Sequence, residues 1–258
     1  MRGARVSVAV VKVGGNEVDD RAWVARLAAA LAARPGNTVI VHGGGKEVTA
    51  LQRALGSEPE WRDGLRVTTD AGMSAVSMVL SGVVNKRIVA ALITAGVDAV
   101  GVSGEDGGLV RAEVARGGSM GRTGEVREVR AALLAAWMAQ GLMPVLSSVS
   151  RGPDGRPLNV NADDVAAAVA AAVGAHELLF VSNVPGVLAG GAVVGEIEAG
   201  AVEGMIADGT AAGGMAPKLR AAARASARVP GVRIGGLEML GDAAAGTRVR
   251  TTRDGERG

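Results

Sequence analysis

Short, nearly uninterrupted apolar runs, each followed by a turn and then a helical pattern, constrain this chain more than any other feature. Val6 to Val13 (VSVAVVKV), Thr38 to His42, Val97 to Val102, residues 142–148 and Leu178 to Ser182 are runs of strand length. They do not alternate apolar with polar residues, so both faces of each strand must be covered. Residues 20–34 read as a helix capped by Asp19 or Asp20 and ended by Pro35-Gly36. Residues 46–55 read as a second helix closed by Gly56. Strand, helix, strand, helix in this rhythm predicts a parallel sheet with crossover helices. Hydrophobic residues make up 48% of the chain but aromatics only 2%, so the core is built from small aliphatic side chains.

The 258 residues allow one large α/β domain or two small lobes. Residues 59–69 predict a hairpin, with Trp61, Leu65 and Val67 among polar residues and a turn at Asp63-Gly64. A long helical region follows over 70–95, bent near Gly82. Residues 105–128 are rich in glycine and charge, with a hairpin at Gly117-Gly118, before a helix over 130–140. Pro153-Asp154-Gly155 is a turn, and Asp163-Asp164 starts an alanine helix that runs to about residue 173. Pro185-Gly186 turns the chain into a second hairpin at 187–197. Helices over 199–208 and 216–228 and strands at Val232 to Ile234 and Thr247 to Arg250 complete the pattern. No internal repeat or linker interrupts it.

Several function classes drop out. Net charge is +2, from 28 basic and 26 acidic residues, and no basic block is long enough for a nucleic-acid groove. Stacking aromatics are nearly absent, so no nucleic-acid partner is expected. The basic stretch Arg248 to Arg257 reads as a solvated tail. Cysteine is absent, which removes disulfides, thiolate catalysis and zinc–cysteine sites. His42 and His176 are the only histidines and lie far apart; His42 reads as structural, and no metal-ligand set is predicted. The apolar run after Arg2 and Arg5 stops at Lys12, too soon for a signal-peptide core. The longest alanine/valine stretch, Val165 to Ala175, is too short to span a bilayer. A soluble, cytoplasmic protein without a membrane partner is the expectation.

Three clusters carry the chemistry. Lys12 ends the first strand and precedes Gly14 and Gly15. It is either a lysine that snorkels from a strand end or a cation aimed at an anion. Gly43, Gly44 and Gly45 follow the second strand and precede a helix, where free backbone N–H groups accept an anion. The same glycines also suit an ordinary β-to-α turn. Two standard nucleotide fingerprints fail. Val48 stands where the dinucleotide pattern needs glycine, and Glu47 stands where the Walker pattern needs Ser or Thr. Lys46 reads as a solvated helix residue. Lys218 opens a helix after Gly213-Gly214-Met215, as either an exposed first-turn lysine or a second phosphate-seeking cation. Arg66 offers a planar fork for a carboxylate, or is a surface arginine on a hairpin. Asn159, Asn161 and Asp163 alternate at a strand-to-helix junction, where they cap the helix, hold a polar ligand or anchor a lysine.

Together these segments resemble the amino-acid kinase family, in its branch that phosphorylates N-acetylglutamate. The matching stretches are VVKVGG (10–15), VHGGGKEV (41–48), DGLRVT (63–68), VNK (84–86), GVSGEDGGL (101–109), GEVREV (124–129), NVNADD (159–164), SNVPGVL (182–188), GGMAPKL (213–219) and GTRV (246–249). They keep the family's order across nearly the whole chain. The resemblance implies a three-layer α/β/α sandwich with an open, mostly parallel central sheet. Residues 1–175 would form an N-terminal lobe for the acyl amino acid and for dimerisation, and residues 176–258 a C-terminal lobe for ATP, in one continuous fold. It implies transfer of the γ-phosphoryl group of ATP to a side-chain carboxylate, an early step of arginine synthesis, with Mg²⁺ carried by the phosphates. Lys12 and Lys218 would contact the transferring group, with Asp163 orienting both. Gly44, Gly45, Arg66, Asn159 and Asn161 would hold the acceptor. Gly14, Gly15, Ser182, Asn183, Val184, Pro185, Gly186, Val187, Thr210, Ala211 and Ala212 would line the ATP site.

Three features depart from the family pattern. Asn183 stands where this branch carries aspartate, the form seen in relatives that phosphorylate a carrier-bound aminoadipate, so an acidic carrier protein is the alternative partner. The segment GGLEMLGDAAAGTRV lacks the usual histidine-containing helix start. The chain starts almost directly at its first strand, which leads to the expectation of a homodimer without strong arginine feedback. A non-catalytic amino-acid or nucleotide sensor of the same fold is the remaining reading; retention of Lys12, Asp163 and Lys218 argues against it.

Overall fold

The computed structural model describes residues 7–15, 17–62 and 64–251. The readings that involve Arg2, Arg5, Val6, Asp63 and the tail beyond residue 251 lie outside the described residues. In chain order, β1 (Val8–Val13), α1 (Arg21–Ala32), β2 (Asn37–His42) and α2 (Gly45–Ala54) come first. A hairpin, β3 (Glu60–Arg62) and β4 (Leu65–Val67), leads into α3 (Asp70–Ser77), a π-helical segment (Met78–Val84) and α4 (Asn85–Thr94). Next are β5 (Ala99–Ser103), β6 (Val110–Val114), β7 (Thr123–Val129), α5 (Ala131–Ala139) and β8 (Met143–Ser147). They are followed by β9 (Val149–Arg151), β10 (Pro157–Val160), α6 (Ala162–Ala172) and β11 (Glu177–Val181). The chain continues through β12 (Leu188–Ala189), β13 (Ala192–Val193), β14 (Glu196–Glu198) and α7 (Val202–Ala207). It closes with α8 (Met215–Ser226), β15 (Gly231–Gly235) and β16 (Thr247–Arg250).

The central sheet has the order β14-β16-β15-β11-β1-β2-β8-β5. Every pair is parallel except β15 with β16. Side chains alternate across each strand, and the two cores follow that alternation. Val10, Val41, Leu146, Leu178 and Phe180 pack with Val165 and Val169 of α6 and Leu219 and Ala222 of α8. Val11, Val13, Ile40, Leu179 and Val181 pack with Leu27 and Leu31 of α1 and Ile88 and Leu92 of α4. The result is the expected α/β/α sandwich. Parity then places Lys12 on the face of Val10, towards α6 and α8.

Four short strands, β10-β7-β6-β9, close into a small barrel beside the sheet. Of its members, the sequence predicts the β6–β7 hairpin, but not β9 paired with β10 around the 153–155 turn. The second predicted hairpin is confined to β12 and β13, while β14 joins the edge of the main sheet.

The stretch Asp70–Thr94 is long and apolar enough to cross a membrane by length and composition alone. It is a different segment from the alanine/valine stretch Val165 to Ala175. One face of the stretch packs in the core, with Val79, Leu80, Val84, Ile88 and Leu92 buried, while Met78, Val83 and Ile93 are exposed, and it carries Asp70, Lys86 and Arg87. Gly82, where the sequence predicts a bend, lies in the π-helical segment. π-turns leave the regular ladder and recur at functional sites.

His42 is structural, as the sequence predicts. It is fully buried, its Nδ1 donates to the Gly43 carbonyl at 3.0 Å, and its Nε2 accepts from Asn85 Nδ2 at 3.1 Å. Asn85 Nδ2 also reaches the Val145 carbonyl at 2.9 Å. This ties α4 to the strand ends below the glycine loop. Burial, with Lys86 and Lys12 nearby, lowers the His42 pKa from 6.5 to about 4, although the Gly43 hydrogen bond opposes the shift. The unfolded chain takes up this proton near 6.5 and the folded one only near 4. Stability is therefore complete above pH 6.5 and falls as the pH drops towards 4, by about 3 kcal/mol. Urea midpoints measured across this window should show the slope, and His42→Gln should flatten it. A ring pKa near 6.5 by NMR would overturn the assignment.

Candidate active site

The face chosen by strand parity brings Lys12 to the start of α6. Its Nζ lies 2.8 Å from Asp163 Oδ1. Asp163 is the second residue of α6, and the helix is capped by Asn161, whose side-chain oxygen accepts from the Asp163 amide at 2.8 Å. The two roles left open for Asp163 are thus divided: Asn161 caps, and Asp163 pairs with lysine. Lys218 is the fourth residue of α8, which packs on α6. Lys12, Asp163 and Lys218 are only 6%, 7% and 9% exposed. Burial, followed by repulsion from Lys12, pushes the Lys218 pKa down; Asp163 and Glu17 oppose the shift. An ammonium so placed is poorly solvated and ready to take an anionic partner.

Backbone supplies the rest of the cleft. A Cβ on Gly15 would lie 2.8 Å from the Gly45 nitrogen and 2.9 Å from the Gly44 nitrogen. Only glycine lets these two loops touch. A Cβ on Gly44 would meet Leu80 of the π-helical segment at 2.7 Å. Helix α2 starts at Gly44 without any side-chain cap, so its first N–H groups remain available to an anion. Helix α8 also lacks a side-chain cap at Gly214, but its Met215 N–H donates to the Ala212 carbonyl at 3.1 Å and Pro217 has none, which leaves the Ala216 N–H in its first turn. Lys12, Gly14, Gly15, Gly45, Asp163, Ser182, Asn183, Val184 and Lys218 line one cleft of about 710 Å³.

A second pocket, of about 200 Å³, lies on the other side of the glycine loop. Gly44, Gly45, Arg66, Asn159 and Asn161 all line it. Arg66 is buried against α2: its guanidinium donates to Gln52 Oε1 at 2.9 Å, Thr49 Oγ1 at 2.7 Å and the Gly45 carbonyl at 3.1 Å. It also stacks on Trp61, 4.5 Å from the ring centroid. Burial lowers its pKa, and no carboxylate pairs with it among the described residues. A buried guanidinium without an anion is suited to receive one. Asn159 donates to Thr68 Oγ1 at 3.0 Å and faces the same pocket. Gly45 and Trp61 line both cavities, so the two sites adjoin.

Pro185, Gly186, Val187, Thr210, Ala211 and Ala212 do not line the cleft. Val187 and Ala211 turn their side chains into the core, whereas Thr210 and Ala212 are exposed. Lys46 is 59% exposed at its side chain, the solvated residue expected, although it reaches the cleft rim. The sequence missed Glu17 as a lining residue, because a loop carboxylate beyond a glycine pair has no periodicity to mark it. Trp61 is noted in the sequence only as an apolar residue among polar ones; that isolation was the available signal for a ligand-facing aromatic.

A parallel α/β sandwich that gathers two buried lysines and free backbone amides at its strand ends defines a polyanion-handling site. The chain belongs to the amino acid kinase family, whose pattern matches residues 7–235. It is 48% identical over 234 residues to an acetylglutamate kinase of Roseiflexus sp. (strain RS-1), over 90% of this chain and 89% of that one. It is 49% identical over 246 residues to an acetylglutamate kinase of Chloroflexus aurantiacus, over 94% and 96% of the two chains. Among solved structures, smu.665 from Streptococcus mutans UA159 superposes with a TM-score of 0.82 at 29% identity, over 94% of this chain and 98% of that one.

Proposed function

We propose that this protein transfers the γ-phosphoryl group of ATP to the side-chain carboxylate of N-acetyl-L-glutamate, as an acetylglutamate kinase of arginine biosynthesis. The observation that carries the reading is the union of the Lys12–Asp163 pair and buried Lys218 in one cleft, beside a pocket whose arginine has no carboxylate partner among the described residues. ATP occupies the larger cleft, its phosphates against Gly14, Gly15, Gly45 and the start of α8. The acceptor occupies the smaller pocket, a carboxylate on Arg66 and its polar groups on Asn159 and Asn161. Every residue of that pocket precedes position 175, whereas the larger cleft takes its lining from both proposed lobes: Lys12, Gly14, Gly15 and Asp163 from the first, Ser182 to Val184 and the start of α8 from the second.

The attacking carboxylate is already ionised near neutral pH, so no general base is required. The barrier lies in bringing two anions together, and the protein lowers it by placing cations and amides around the transferring group. Lys12, held by Asp163, serves one side of that group, and Lys218 the other. Mg²⁺ supplies charge neutralisation of the phosphates when bound. A homodimeric, cytoplasmic enzyme completes the reading; light scattering of the purified protein decides the oligomeric state.

Incubation with Mg-ATP, N-acetylglutamate and hydroxylamine should yield the γ-hydroxamate, because hydroxylamine traps acyl phosphates. N-acetylaminoadipate, aspartate and carbamate serve as competing acceptors. Absence of hydroxamate from millimolar N-acetylglutamate would reject the assignment. Asn183, the feature that suggested a carrier-bound acceptor, lines the larger cleft and not the Arg66 pocket. Arg66→Ala should raise KM for the acyl amino acid about tenfold or more with little change in kcat, the scale of one charge-assisted hydrogen bond. An unchanged KM would remove Arg66 from the acceptor site.

A further inference from the structure

Glu17 is the acidic residue of the cleft that the roles above leave unused. It is 7% exposed and lines the same cavity as Lys12, Asp163 and Lys218. Lys12 is engaged by Asp163. The Glu17 carboxylate makes no hydrogen bond or ion pair with any described residue. It lies over the first glycine of the loop, where a Cβ on Gly14 would sit 2.3 Å from its Oε2. The residue is enclosed, but its carboxylate lines the open cleft, where a cation can reach it.

The charge balance defines that ligand. Lys12 and Lys218 are matched by Asp163 and Glu17, and the two other cations of the lining, Lys46 and Arg53, lie near Asp19 and Glu58, so the cleft offers a triphosphate no surplus positive charge. A phosphate chain laid on the Gly14–Gly15 amides would meet the Glu17 carboxylate directly. Anion beside anion is unfavourable unless a cation stands between them. The Ser182 hydroxyl also lines this cleft, is buried and has no hydrogen-bond partner among the described residues. Magnesium binds through one or two carboxylates together with phosphate oxygens and water, and seldom in a cage made only of protein.

We propose that Glu17 is a protein ligand for the divalent cation that accompanies the nucleotide phosphates. The inference rests on the reading of the larger cleft as a nucleotide site. Glu17 would then link metal binding to nucleotide binding: its carboxylate would help hold the cation, and without the cation it would repel the phosphates.

Calorimetric titration with AMP-PNP, in excess Mg²⁺ and separately in EDTA, tests this. In the unsubstituted protein Mg²⁺ should tighten AMP-PNP binding. In Glu17→Gln that Mg²⁺-dependent gain should fall at least tenfold, while metal-free affinity stays equal or improves. Glu17→Asp, which keeps the charge but withdraws it by one methylene, should fall between them and guards against a folding defect in the first variant. Electron paramagnetic resonance of Mn²⁺ with AMP-PNP should show an altered ion environment in Glu17→Gln. A full Mg²⁺-dependent gain in Glu17→Gln would overturn the proposal and leave Glu17 as a counter-charge to Lys218. Failure of the unsubstituted protein to bind AMP-PNP at all would instead remove the nucleotide reading beneath it.

Discussion

Lys218→Met should lower kcat by a hundredfold or more and leave the thermal midpoint close to that of the unsubstituted protein. Methionine approximates the length of the lysine stem and removes only the charge. The ammonium it replaces is buried in the first turn of α8 and has no ion-pair partner within 4.0 Å among the described residues. Its burial and its proximity to Lys12 both disfavour the charged form, which is why its pKa is pushed down. Such a group contributes little to folding. In the proposed reaction its value appears when negative charge moves onto the transferring phosphoryl oxygens, and losing one preorganised contact of that kind costs on the order of 10²–10³ in rate. Steady-state kinetics beside a melting curve separate the two effects. A kcat within tenfold of the unsubstituted enzyme would place Lys218 outside the reaction; a large loss of stability would make it a structural residue.

The split between activity and stability also explains which parts of the site were legible in the sequence. Lysines next to glycines at strand ends were visible because burying a cation is costly and needs a reason. The sheet was visible because Val8–Val13 and Asn37–His42 leave no polar face to expose. The convergence of Lys12 with α6 and α8 was not, since it depends on which face of β1 residue 12 occupies, and that is fixed by pairing with β2 and β11. Strands β9 and β10 escaped notice because each is only three or four residues long and owes its shape to the barrel. Asp163 was ambiguous between cap and anchor until Asn161 took the cap. The Arg66 pocket was ambiguous because burial of a hairpin arginine against α2 is a tertiary fact: Gln52, Thr49 and Gly45 lie well upstream in the chain.

Asp163→Asn should reduce kcat about a hundredfold while tightening the binding of nucleotide. The substitution keeps the shape of the side chain and removes its charge. Lys12, 6% exposed and paired at 2.8 Å, then loses its carboxylate beside a second buried lysine. Breaking one side of such a pair destabilises a fold by about 3–5 kcal/mol. For a chain of this size that lowers the thermal midpoint by about 5–15 °C. A polyanion restores the balance, so AMP-PNP should raise the midpoint of Asp163→Asn more than it raises that of the unsubstituted protein. Turnover falls nonetheless, because Lys12 no longer has a fixed direction and follows the ground-state phosphates as readily as the transition state. Tighter binding with slower chemistry is the signature of an orienting residue. If nucleotide affinity dropped with kcat, Asp163 would be holding the ligand itself; if neither changed, the Lys12–Asp163 pair would be a surface-type contact without a part in the reaction.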